Sequence, residues 1–183
     1  MINSKTSSLM LVAGFVAFVV MTISQMLQGD TDGTAGSLAW AASSDDWKWI
    51  MPIRMVAIIL MLVFTAGFTS WARNLSESSG LIYLGTRFTL LAVFLMFVSL
   101  ISQLAGFDIA SDSADPAEAA HALLKLSGMS SWFGGISFAF SLFLVGTKLY
   151  SDKLGTPALN GLIALLGIIA VVGGFINWFI WVI

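Results

Sequence analysis

Cysteine is absent from the 183 residues, and histidine occurs once, as His121. The first absence excludes disulfides, cysteine-ligated iron–sulfur clusters and thiol catalysis. The second excludes any site that needs two imidazoles from one copy, a bis-histidine haem among them. Charge is scarce as well: Asp, Glu, Lys and Arg make up 10% of the chain, against about 25% in a soluble domain. The net charge of −2 and the pI of about 5.1 argue against a nucleic-acid partner. The chain has no H-E-x-x-H, G-x-S-x-G or phosphate-binding P-loop sequence. Its acids fall in connections or at helix ends, so no carboxylate pair stands ready for acid–base work. The aspartates Asp30, Asp32, Asp45 and Asp46 lack EF-hand spacing. These absences lead to the expectation of a non-enzyme without metal or cofactor. The residual option is single-histidine ligation of a haem or pigment at His121.

What fills the sequence instead is apolar. Hydrophobic residues make up 58% of the chain, and the mean hydropathy is +0.94. A soluble fold of this size has too little interior to hide that surface. A bilayer removes the difficulty by acting as apolar solvent. A helix needs about 20 apolar residues to cross its hydrocarbon core. Five stretches qualify: 8–27, 49–72, 81–107, 118–150 and 157–182. Their runs are continuously apolar rather than alternating, which selects helices over a β-barrel. The expected fold is therefore all-α: one membrane domain over 1–183, a transmembrane bundle of about five spans. The run before the first polar connection is too long for a cleavable signal peptide's core, so it is read as a retained anchor.

The charges of the connections sort by side. Lys5, Arg73, Lys148 and Lys153 fall on one side; Asp30, Asp32, Asp45, Asp46, Asp108, Asp112, Asp115 and Glu118 fall on the other. The positive-inside rule then places the N-terminus in the cytoplasm, and five spans leave the C-terminus outside. Trp40, Trp47, Trp49, Trp178 and Trp181 group toward the outer interface, Trp71 and Tyr150 toward the inner one. The expected location is a bacterial inner membrane.

The only long polar connection is the outer loop, 28–48. Its Gly29, Asp30, Asp32, Gly33 and Gly36 read as turns, and Leu38–Ala42 reads as a short interfacial helix. Asp115 with Pro116, and Thr156 with Pro157, carry the cap-then-proline pattern of helix starts. Gly134, Gly135, Gly167, Gly173 and Gly174 permit close helix approach. Asn74-Leu75-Ser76 matches a glycosylation sequon but falls on the predicted inner side.

Polar residues within spans are the best pointer to a site, because they are expensive there. Gln25, Arg54, Gln103, His121, Lys125 and Asn177 come from all five spans, and each falls in the outer half of its own. They are the candidate ligand-binding residues, with Arg54 and Lys125 as cations for an anionic group. Against this stands snorkelling toward the interface and ordinary interhelical bonding. Arg87 is the deep charge of the inner half, and packing is its default role.

Two functions follow as expectations. The first is a non-catalytic accessory or structural subunit, in contact with membrane lipids and assembling with other membrane proteins or with itself. The alternative is a small transporter or ligand- or lipid-binding protein with its polar site in the outer half of the bundle.

Overall fold

The computed structural model describes residues 4–28, 33–75, 79–112, 118–154 and 156–182, without the side chains of residues 4, 5, 7, 8, 75, 159 and 174–182. The described residues form helices throughout: α1 (Ser4–Gln28), α2 (Gly33–Ser43), α3 (Trp47–Leu75), α4 (Gly80–Ser111), α5 (Glu118–Ser151) and α6 (Pro157–Val182). The stretches 9–28, 47–74, 80–111 and 118–151 are long and apolar enough to cross a membrane. Within α6, Asn160–Gly173 is a shorter apolar stretch. Phe15, Phe18, Phe94 and Ile169 each leave more than half of their surface exposed. That suits a hydrocarbon solvent and would be costly in water.

The helix boundaries have local causes. Ser79 is extended and its hydroxyl accepts from the Ile82 amide, an N-cap for α4. Asp46 precedes α3 and accepts from the Trp49 indole at 3.2 Å. Hydrogen bonds with Ser44 and Trp49 hold the Asp46 carboxyl below its ordinary range. Pro157 opens α6, as the cap-then-proline pattern predicts; the equivalent expectation at Asp115 and Pro116 lies outside the described residues. The α5 end closes in a Schellman turn. Lys153 adopts φ 53°, its amide bonds the Tyr150 carbonyl, and the Leu154 amide reaches back to Leu149. The Asn160 side-chain amide donates to the Leu154 carbonyl, tying the start of α6 to that turn.

α1 packs on α3, α3 on α4, α4 most extensively on α5, and α5 on α6. Small residues set these approaches. Along α5, Ser127, Ser130, Gly134, Ser137 and Ser141 are buried in one stripe. Two of its hydroxyls bond across to α4: Ser141 with Thr89 at 2.5 Å and Ser127 with Ser99 at 2.9 Å. Between α5 and α6 the backbones nearly touch. A Cβ on Gly167 would sit 2.6 Å from the Phe143 amide nitrogen, and one on Gly146 would sit 2.7 Å from that of Ala164. Gly134 faces the Ala92 carbonyl, whereas Gly135 and Gly173 face open space.

The expected outer loop is largely helical. Gly33 and Gly36, read as turns, belong to α2, which extends the expected Leu38–Ala42 helix by more than a turn. The reason is burial: Leu38 and Ala41 sink into a cluster with Ile50, Phe107, Ala110 and Ala120, so α2 caps one end of α4 and α5. Trp47, expected to face the interface, is buried in the same cluster against Phe107, and its indole N–H has no partner among the described residues. A second cluster, with Phe68, Ala72, Ile82, Val145 and Leu149, joins α3, α4 and α5 toward the opposite end.

Candidate functional site

Arg54 sits seven residues beyond the start of α3, about 10 Å along its axis. Only 5% of its surface is exposed. Its head reaches two neighbouring helices. Nε–H donates to the Ser24 hydroxyl at 3.2 Å, and one terminal nitrogen donates to the Ser24 carbonyl at 3.3 Å and to Gln28 Oε1 at 2.5 Å. The other terminal nitrogen donates to Gln103 Oε1 at 2.7 Å. The Ser24 hydroxyl donates its own proton to the Met21 carbonyl at 2.7 Å. Four of the five guanidinium N–H groups are thus satisfied. Every one of these acceptors is neutral. Among the described residues, no carboxylate balances the charge.

This cluster forms the polar end of a cavity of about 610 Å³ between α1, α3, α4 and α5. Gln25, Ser99, Ser127 and Ser131 line it along with Gln28, Arg54 and Gln103. The remainder is apolar, walled by residues such as Phe18, Met21, Met61, Met96, Phe64 and Phe138. Phe64 and Phe138 meet edge-to-face at 6.0 Å, bringing α3 to α5. From Arg54 to Phe64, α3 advances about 15 Å, so the cavity is elongated along the helices. Polar groups cluster toward the α2 end and aromatic rings toward the other. The volume lies in the range of ligand pockets, about 300–1,000 Å³.

The structure brings together Arg54, Gln103 and Gln25 of the sequence-derived candidates. Lys125 and His121 do not join them. Neither is among the residues that line the cavity; Lys125 is exposed and His121 half-buried. The Asn177 side chain lies outside the described residues. Sequence reading missed Ser24 and Gln28, which contribute three of the four acceptor contacts. Their i,i+4 spacing on the last turns of α1 was the available signal. Among the described residues, no group of three or more His, Asp or Glu side chains is arranged to hold a metal ion.

A second cleft, of about 530 Å³, opens between α3 and α4 at the end away from α2. Arg73 and Asn74 enter it from α3, and Thr86 and Arg87 from α4. The Arg87 guanidinium lies 5.0 Å over the Tyr83 ring, a cation–π contact.

Comparison of the chain with known protein families, curated proteins and solved structures finds no match.

Proposed function

We propose that this chain is a non-catalytic, five-span protein of the bacterial inner membrane that binds an amphiphile with an anionic head and a single apolar tail. The N-terminus is cytoplasmic in this reading, so the α2 end lies outside and the cavity's polar end sits in the outer half. The observation that carries the proposal is Arg54, a buried cation at the polar end of an elongated apolar cavity, surrounded by neutral acceptors. A charge inside a span is expensive, and such residues face cavities and mark ligand or ion paths. Here the described residues supply hydrogen bonds and no countercharge, which leaves the charge to be balanced. A carboxylate or phosphate head would balance it, with Gln25, Ser99 and Ser127 as further polar contacts. The tail would lie among the methionines and phenylalanines. Met suits that role, because its flexible chain adapts to irregular apolar shapes.

The test is extraction in mild detergent, followed by mass spectrometry of everything that remains bound. The expected result is an anionic amphiphile retained by the wild type and lost from Arg54→Met. Equal retention by both would overturn the proposal. Co-purification of membrane proteins in fixed ratio, with no such amphiphile, would replace it by the subunit reading.

A further inference from the structure

We infer that the cleft between α3 and α4, away from α2, holds the head of an anionic diacyl phospholipid. The inference is independent of the amphiphile reading and concerns different residues. Arg73 and Arg87 reach this cleft from two different helices. Both are exposed, and neither has a carboxylate partner among the described residues. Glu77, four positions after Arg73, lies outside the described residues. No carboxylate is among the lining residues. Two guanidiniums on one cleft match a phosphodiester, whose oxygens accept from planar donor forks.

The neighbouring groups sharpen the fit. The Thr65 and Thr86 hydroxyls donate to carbonyls of their own helices, Met61 and Tyr83. They offer lone pairs rather than protons to a ligand, so the charged donors to the phosphate are the two arginines, with the Asn74 amide and the Thr69 hydroxyl beside them in the cleft. Tyr83 holds the Arg87 head through its ring face and leaves the N–H edges available. Leu62 and Leu90, both about half exposed, line the same cleft. They continue it onto apolar helix surface, where an acyl chain lies and a free phosphate gains nothing. With the N-terminus cytoplasmic, this is the inner face, where basic pockets between spanning helices bind acidic headgroups.

The experiment uses the full chain in lipid nanodiscs, either phosphatidylcholine alone or with phosphatidylglycerol, with native mass spectrometry of the protein released. Wild type is expected to retain phosphatidylglycerol in preference to phosphatidylcholine. Each cation near the surface contributes about a fivefold preference. Arg73→Gln with Arg87→Gln should therefore lower retention about thirtyfold. The paired Lys substitutions keep the charges and should retain most of the binding, which separates loss of the site from loss of fold. Equal retention of the two lipids by the wild type would overturn the inference. So would unchanged retention in the paired Gln variant, or full displacement by millimolar inorganic phosphate, which would mark a plain anion site.

Discussion

Replacing Arg54 by methionine should leave stability nearly unchanged while removing ligand binding. The substitution removes four hydrogen bonds, to Ser24 Oγ, the Ser24 carbonyl, Gln28 and Gln103. Interhelical bonds inside membranes average about 0.6 kcal/mol each, so the loss is about 2.4 kcal/mol. It also removes a charge from within a span, which costs about 2.5–3.5 kcal/mol in insertion measurements. The two nearly cancel, and the net change should stay within about 1 kcal/mol. No countercharge is stranded among the described residues, so the large penalty for breaking a buried ion pair does not arise. Arg54→Lys should be the worse substitution. It keeps the charge but has three donors on a point-like head, and it cannot span Ser24, Gln28 and Gln103 together. The assay is reversible unfolding by denaturing detergent titrated into mild detergent, followed by tryptophan fluorescence. A loss of about 3–5 kcal/mol in Arg54→Met, with Arg54→Lys close to wild type, would refute the reasoning. It would mean that a carboxylate outside the described residues neutralises the guanidinium.

Three further outcomes are expected. Gly167→Ala puts a methyl 2.6 Å from the Phe143 backbone and should cost about 1–3 kcal/mol by overpacking. Gly135→Ala, which meets open space, should be neutral or slightly stabilising; the same detergent titration compares them. Lys153→Gly should stabilise by about 1 kcal/mol, since Lys153 holds φ 53° without glycine's freedom, and a raised thermal midpoint would show it. The Asp152 carboxyl is held below its ordinary value of 3.8, chiefly by the hydrogen bond from Lys148. Its contribution is therefore fully present above pH 3.8 and is lost as pH falls through the lowered value. Thermal midpoints measured from pH 5 downward should fall less steeply in Asp152→Asn than in wild type.

The helices were legible because length and apolarity alone specify them in a chain like this. Span edges at 49, 81, 118 and 157 fall within two residues of the structural starts at Trp47, Gly80, Glu118 and Pro157. α2 was less legible. Its Gly33 and Gly36 carry turn propensity, and only burial of Leu38 and Ala41 against α4 and α5 overrides it. For the candidate site, intramembrane cost pointed to Arg54 and Gln103, which the structure brings together. It could not separate them from Lys125 and His121, since facing a cavity depends on helix rotation, and α5 turns its serine and glycine stripe inward instead. That stripe was hidden for a related reason. Small polar residues look unremarkable one at a time, and only their spacing of three and four marks a packing face.

The neutral surroundings of Arg54 have an electrical consequence. In the proposed arrangement, with the start of α3 at the edge of a hydrocarbon core about 30 Å thick, a cation about 10 Å along the helix would lie about a third of the way in. Under the proposed orientation and function, an anionic head that reached it from outside would cross about a third of the membrane voltage. Moving one charge through the full voltage is worth about 2.3 kcal/mol per 100 mV, so this fraction is worth about 0.8 kcal/mol, or about fourfold in affinity. With the cell interior negative, an energised membrane would then disfavour the anion's entry and a depolarised one would admit it. Occupancy of the cavity would then follow the energetic state of the membrane, with no moving part in the protein.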